Sequence, residues 1–243
     1  MKLYTMFAGI LTVTNMLYTG YGGNMYTTCE LNLAKDVNIV EKYKKSDLKY
    51  LKEDLIIPQL ENGNDKNKID IINKKINDDI MPKALEGEKA AKDYYGGPNA
   101  EAPEFKFEIN SRYTVTANND SLISLYNDYY EFLGGAHGAT TRTSYTIDKK
   151  LEELLELKDL FKEGYDYKTV INNEIKKQIA EDKDKFFEPA DKFKGIAENQ
   201  NFYIKDKVLI IYYQQYDIAP YAAGIPEFNI PLETFQHNYK YDI

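Results

Sequence analysis

The sequence is poor in the side chains that hold transition metals and in those that bind phosphate backbones. Its 243 residues include one cysteine, Cys29, and two histidines, His137 and His237. An intramolecular disulfide and a cysteine-rich zinc site are therefore excluded. Only two of the 31 basic residues are arginine, and 39 acidic residues give a net charge of -8. A nucleic-acid-binding protein needs a basic stripe, so we expect neither a transition metal nor a nucleic-acid partner.

Common catalytic signatures are also missing. The chain has no Gly-x-Ser-x-Gly elbow, no phosphate-binding glycine loop, no His-Glu-x-x-His pair and no dinucleotide fingerprint, so we expect no organic cofactor. A pair of glycosidase carboxylates stays possible, because such groups converge in space without a fixed spacing in the sequence. A close pair of buried carboxylates in a cleft near His137 would favour an enzyme.

The N-terminus has the order of a secretory signal. Lys2 precedes an apolar run, Leu3–Val13, and small and polar residues follow at Thr19–Asn24. The run is too short and polar for a membrane span. We therefore predict that residues 1–29 are a signal peptide or export segment, that the protein is secreted or held at the cell surface, and that it meets the membrane only through this segment if it is retained.

The periodicity of the remaining chain predicts an α+β fold. Residues 105–115 alternate between apolar and polar side chains, as in a strand with one wet face. Isoleucines recur every three or four residues from 69 to 80, which indicates a helix with one apolar face that Pro82 disturbs. An apolar strand is expected to end at Pro58. Since the other strands group as hairpins, we predict antiparallel β-sheets with helices packed on them.

Two loops carry the candidate recognition residues. The first, Gly134–Gly138, places His137 in a glycine turn where backbone can approach a partner; the favoured alternative is that the glycines only permit positive φ angles and His137 hydrogen-bonds the loop. The second is an aromatic loop at 216–224, which offers large rings on a stiffened backbone, or else forms a packed corner. The candidate binding residues are Gly135, His137, Tyr216, Pro220 and Tyr221; no residue is assigned a catalytic or metal-binding role.

Four segments in register resemble the paired extracytoplasmic domains of the anti-sigma-V factor (RsiV) family: Tyr130–Gly138, Leu157–Phe161, Asn201–Ile204 and Ile218–Gly224. Similar domain pairs precede the catalytic region of some peptidoglycan deacetylases and also occur alone. The resemblance implies an N-terminal α+β domain at 30–130 and a C-terminal α+β domain at 131–243.

In that family this region is extracellular and recognises lysozyme, while a separate cytoplasmic segment holds the sigma factor. Here only Met1 and Lys2 precede the apolar run, so the resemblance implies the sensor or binding module without the sigma-binding segment. The leading hypothesis is an exported binding protein whose partner is a lysozyme-like protein or peptidoglycan. A peptidoglycan-acting enzyme, or an accessory module of one, is the alternative.

Overall fold

The computed structural model describes residues 36–95 and 105–241; the export segment predicted at 1–29 lies outside this part of the chain. Nine strands and two α-helices are described. The strands are β1 (Asn38–Asp47), β2 (Leu51–Glu61), β3 (Phe107–Asn118), β4 (Leu122–Phe132), β5 (Ala139–Asp148), β6 (Glu153–Leu154), β7 (Phe202–Lys205), β8 (Val208–Tyr212) and β9 (Glu227–Pro231). The helices are α1 (Lys66–Tyr95) and α2 (Tyr167–Glu181).

The first six strands form one sheet in sequence order, covered on one face by α1. All neighbouring strands are antiparallel except β2 and β3, which are parallel because α1 crosses over between them. The predicted wet-faced strand is β3, and an Asn119 carboxamide accepts from two backbone amides in the turn that leads to β4. The predicted hairpin is therefore present.

Two prolines lie inside elements that they were expected to disturb or end. Helix α1 runs through Pro82 to Tyr95 because its buried face continues beyond it in small residues, Ala84, Gly87 and Ala91. Those residues let the helix approach the sheet closely, and this packing offsets the ~3 kcal/mol that an internal proline costs. Strand β2 continues past Pro58 because β3 pairs with β2 only up to Leu55, so the missing N–H costs no bond to β3.

The last three strands form a second sheet in the order β7-β8-β9, with α2 on one face. Asp166 caps α2 by accepting from the Thr169 amide at 3.1 Å. Successive residues of β8 point to opposite faces of this sheet: Leu209 and Ile211 face α2, while Ile210 and Tyr212 face the six-stranded sheet. Residues 36–95 and 105–241 therefore stack as helix, sheet, sheet and helix.

The two sheets meet through a small apolar cluster and several buried hydrogen bonds. The Ser124 hydroxyl accepts from the Ile204 amide at 2.9 Å and shares a second hydrogen bond with Thr146. Tyr126 and Tyr203 pack with ring centroids 5.1 Å apart. Because these contacts are largely polar, they fix the register of one sheet on the other more than they add apolar burial.

The α+β class with mostly antiparallel sheets is confirmed. The boundary expected between residues 130 and 131 falls inside β4, and β5 also belongs to the first sheet. The division into two domains stays a prediction.

Candidate functional site

The loop between β4 and β5 is shaped by three glycines. Gly134 and Gly135 have φ angles of 94° and 90°, a region that favours glycine, and Gly135 is exposed. Gly138 is buried, and a Cβ there would lie 2.5 Å from the ring of Tyr130. The chain therefore passes directly over Tyr130 before it enters β5.

We expect Gly138→Ala to destabilise the protein by about 1–3 kcal/mol, because the added methyl group overpacks against Tyr130. Chemical denaturation of both single variants and of the double variant tests this. In a Tyr130→Ala background the cost of Gly138→Ala should largely disappear, since the obstructing ring is gone. An undiminished cost in that background would contradict the steric explanation.

The loop between β8 and β9 presents Tyr216 from a tight turn. Gln214 and Asp217 close this turn with hydrogen bonds in both directions: the Asp217 amide donates to the Gln214 carbonyl at 3.2 Å, and the Gln214 amide donates to the Asp217 carboxylate at 2.8 Å. Tyr216 has a φ of 69° and is 55% exposed. A tyrosine held in this left-handed conformation costs about 1 kcal/mol or more, and core packing does not explain it.

The two candidate loops meet. The rings of His137 and Tyr221 stack at 3.9 Å between centroids, and the Tyr216 ring centroid lies 5.8 Å from that of Tyr221. The Tyr221 hydroxyl donates to the Gly138 carbonyl at 3.0 Å, and His137 Nδ1 lies 3.0 Å from the same oxygen. We call this row of three rings, His137, Tyr221 and Tyr216, the aromatic surface.

Each predicted site residue has a definite place on or beside the aromatic surface. His137 is exposed and hydrogen-bonds its own loop, whereas its binding role stays a prediction. Pro220 is exposed and precedes the short 3-10 turn Tyr221–Ala223. Tyr221 is half-buried, whereas Gly135 contributes exposed backbone. His237 is exposed in a separate 3-10 segment after β9.

Two glutamines anchor the aromatic loop to β5. The Thr140 amide donates to Gln215 Oε1 at 2.9 Å, and the Arg142 amide donates to Gln214 Oε1 at 3.0 Å. Gln214 Nε2 also donates to the Arg142 carbonyl at 2.7 Å. The two glutamine side chains thus bond backbone groups of β5 as a neighbouring strand would. They fix the position of the aromatic loop relative to the glycine loop that precedes β5.

A half-buried ion-pair network, which was not predicted from the sequence, lies next to this anchor. The Arg142 guanidinium, 11% exposed, donates to both oxygens of Asp128 at 2.7 Å and also contacts Glu227. It lies 3.7 Å from the Tyr126 ring centroid, and the Tyr203 hydroxyl donates to Glu227 at 3.0 Å. The sequence offered one signal for this network: Arg142 is one of only two arginines, and it lies within a predicted strand.

A pair of close carboxylates occurs on the face covered by α1. Glu53 is buried and interacts directly with Glu88, and Lys44 Nζ donates to both, at 3.1 Å to Glu53. Retaining glycosidases hold their two carboxyl groups about 5 Å apart with substrate between them. Here Lys44 bridges the pair, and His137 stacks on a different group, Tyr221. The arrangement does not match glycosidase geometry.

The Glu53–Glu88 pair makes stability depend on pH. Burial, with a hydrogen bond to Glu88, raises the pKa of Glu53 above its ordinary value of 4.5. Burial also raises the pKa of Glu88, but hydrogen bonds with Lys44 outweigh this and lower it. The raised pKa of Glu53 favours folding below pH 4.5, and this contribution is lost as the pH rises through the folded-state pKa.

We therefore expect Glu53→Gln, which resembles the protonated form, to unfold at higher urea concentration than the parent near pH 7, with the difference shrinking toward about pH 4. Glu88→Gln is the matched control and should show the opposite sign, because the lowered pKa of Glu88 stabilises the fold above pH 4.5. Equal shifts of the same sign in both variants would contradict the assignment.

The described residues contain no group of three or more His, Cys, Asp or Glu side chains arranged to hold a metal ion. Within the same part of the chain, no helix has the length and apolar character needed to cross a membrane. What the geometry offers instead is an exposed aromatic surface on two anchored loops, which is typical of recognition by stacking and apolar contact.

Part of the sequence is similar to two proteins of known name. The chain is 35% identical over 132 residues to the anti-sigma-V factor RsiV of Bacillus subtilis, covering 51% of this chain and 45% of that protein. The resemblance to the anti-sigma-V factor family is confirmed. Besides RsiV, the peptidoglycan-N-acetylmuramic acid deacetylase PdaC of the same organism is 25% identical over 121 residues, covering 48% of this chain and 26% of PdaC. The chain therefore matches less than half the length of either relative.

Two family models match successive parts of the chain. Residues 44–140 match the model described as deacetylase PdaC, and residues 158–233 match a protein of unknown function, DUF3298. A DUF3298 family structure from Bacteroides fragilis aligns with a TM-score of 0.60 at 19% identity, covering 86% of this chain and 94% of that chain. A second one from Pseudomonas aeruginosa gives 0.55, again at 19% identity, with coverage of 86% and 96%. These structures show that the fold is shared.

Proposed function

We propose that the protein is an exported cell-envelope binding protein that recognises a lysozyme-like protein or peptidoglycan through the aromatic surface. The observation that carries the proposal is the exposed ring of Tyr216, held in a left-handed conformation beside the stacked Tyr221 and His137. A strained, exposed tyrosine serves no packing purpose, and strain of this kind concentrates at functional sites.

The aromatic surface suits a binding role for physical reasons. Its loop is anchored by Gln214 and Gln215, and the Tyr221 ring is fixed by a stack and a hydrogen bond. Little side-chain and loop entropy is therefore lost on binding. Tyrosine rings add a large contact area with a polar edge, which suits both a protein cleft and the faces of sugar rings.

Export is supported by the order of charge, apolar run and small polar residues at 1–24, and by the extracellular position that the RsiV resemblance implies. We also propose that residues 30–130 and 131–243 act as two α+β domains, with the binding loops presented mainly by the second. The alternative function, a module that serves a peptidoglycan deacetylase, is favoured by the match of residues 44–140 to the PdaC model.

A capture experiment tests the proposed function. The full chain is passed over immobilised lysozyme and, separately, mixed with purified peptidoglycan that is then pelleted. Retention by either ligand, released by excess free ligand, is the expected result. Release of acetate or of soluble sugar from peptidoglycan, without retention by either material, would instead support an enzyme.

A further inference from the structure

A concave site with a lysine-rich lining lies between the last part of α1 and the turn that joins β1 to β2. Its cavity has a volume of about 450 Å³, within the range of about 300–1,000 Å³ that small-molecule sites occupy. One wall is a single face of α1, since Leu85, Lys89 and Lys92 follow each other at intervals of four and three residues. The opposite wall comes from β1, the turn and the start of β2. The site shares no lining residue with the aromatic surface.

The lining is positively charged in a chain that is acidic overall. Four lysines and two glutamates line the cavity, which leaves a net charge of +2, whereas the whole chain carries -8. Lys44 Nζ donates to both glutamates, Glu53 and Glu88, and the Glu53 side chain is only 1% exposed. These carboxylates are therefore already paired. A positively charged concave surface concentrates anions from solution.

The unused polar groups of the lining are donors. The ammonium groups of Lys89 and Lys92 are exposed, and neither pairs with another residue in the ranges 36–95 and 105–241. An ammonium group donates and cannot accept, so its complement carries acceptors and negative charge. A phosphate monoester offers three acceptor oxygens and a charge of about -1.5 to -2 near pH 7, which matches two free lysines better than the single charge of a carboxylate does.

Two exposed leucines give the cavity an apolar rim. Leu48, in the turn between β1 and β2, is 44% exposed, and Leu85 of α1 is 54% exposed. A phosphate group alone fills only part of the cavity. The remaining space is bounded by these side chains, where an apolar part of a ligand would leave water at about 25 cal/mol per Å².

We propose that this cavity binds a phosphate monoester with a small apolar part. Lys89 and Lys92 bind the phosphate group, while Leu48 and Leu85 contact the apolar part. The inference is independent of the proposed function, because it uses no residue of the aromatic surface.

Isothermal titration calorimetry of the full chain with phenyl phosphate, inorganic phosphate and benzyl alcohol tests the proposal. Phenyl phosphate should bind at one molecule per chain. Inorganic phosphate should bind more weakly because it lacks the apolar part, and benzyl alcohol should not bind because it lacks the charge. No saturable binding of phenyl phosphate, or equal binding of benzyl alcohol, would overturn the proposal.

Leu85→Ala tests the apolar part of the site. The side chain is more than half exposed, so its removal should leave the unfolding midpoint nearly unchanged. Affinity for phenyl phosphate should fall several-fold, while affinity for inorganic phosphate stays the same. Equal losses for both ligands would contradict a contact between Leu85 and the apolar part.

Two sources share this chemistry, a soluble phosphate ester and the headgroup of a lipid. Vesicles of phosphatidylcholine with and without phosphatidic acid separate them. Sedimentation of the protein only with vesicles that contain phosphatidic acid supports the lipid source. Binding of phenyl phosphate without sedimentation supports the soluble source.

A double variant with Lys89→Ala and Lys92→Ala gives the sharpest result. Binding of phenyl phosphate should weaken at least about tenfold, because both charge-assisted donors are lost. Lys176→Ala with Lys177→Ala is the matched control: these lysines of α2 are also exposed, their removal changes the net charge by the same amount, and they do not line the cavity. The control should bind as the parent does. Equal losses in the two double variants, or unchanged affinity in the first, would overturn the assignment of the phosphate to this cavity.

Discussion

Replacing Tyr216 by alanine should weaken partner binding by about 2 kcal/mol, or about thirtyfold, while the protein stays folded. The ring is 55% exposed, so its removal leaves no cavity in the core. Alanine at this position keeps the same left-handed backbone, so the strain is unchanged and the loss of affinity reports the ring itself. Affinity and thermal unfolding are to be measured on the same samples.

Tyr43 supplies a matched control for this variant. It is 56% exposed on β1, in a different part of the structure, so Tyr43→Ala removes a similar exposed ring without touching the aromatic surface. Its affinity should equal that of the parent, as should that of a His237→Ala variant. A Tyr216→Ala protein that binds as tightly as Tyr43→Ala would refute the role of the loop.

Tyr221 should behave differently from Tyr216 because it is half-buried. Tyr221→Ala removes the stack on His137 and the hydrogen bond to Gly138, so we expect a loss of affinity of similar size together with a small drop in the unfolding midpoint. Tyr221→Phe keeps the stack and loses only the hydrogen bond. Its affinity should lie between those of the parent and Tyr221→Ala.

Removal of Arg142 should cause a large loss of stability, about 2–3 kcal/mol, which is less than for a fully buried pair because the Asp128 and Glu227 carboxylates stay partly exposed. Arg142→Ala leaves the Asp128 and Glu227 carboxylates without their shared cation and strips the packing from Tyr126. Urea denaturation measures the effect. Arg142→Lys should recover only part of it, because an ammonium group does not reproduce the two parallel hydrogen bonds to Asp128.

The second arginine of the chain is a natural control. Arg112 also pairs with an aspartate on a neighbouring strand, Asp54, at 2.5 Å, but its side chain is 48% exposed. Water screens this pair, so Arg112→Ala should cost at most about 1 kcal/mol. Similar costs for the two arginines would show that burial of the Arg142 network contributes little.

Local sequence signals predicted the elements whose stability is decided locally. The isoleucine spacing from 69 to 80 predicted the buried face of α1, and the alternation at 105–115 predicted β3. Both candidate loops were found as well, because glycine turns and proline-stiffened aromatic segments have distinctive compositions. What the sequence does not encode locally is that the rings of His137 and Tyr221 stack.

The wrong or missing predictions share one cause, which is tertiary context. Pro82 lies inside α1 because the sheet below it accepts the small residues that follow. Pro58 lies inside β2 because the pairing of β2 with β3 has already ended at Leu55, and that parallel pairing depends on a crossover that hairpin signals do not reveal. The Arg142 network joins β4, β5 and β9, and no sequence spacing relates residues so far apart.

Hydrogen exchange of the full chain, recorded alone, with lysozyme and with soluble peptidoglycan fragments, tests whether the aromatic surface is the recognition site. We expect slower exchange in residues 134–138 and 214–224 with at least one of these ligands, and smaller effects over α1 and α2. Protection confined to other segments, or no protection with either ligand, would contradict the claim that the aromatic surface is the recognition site.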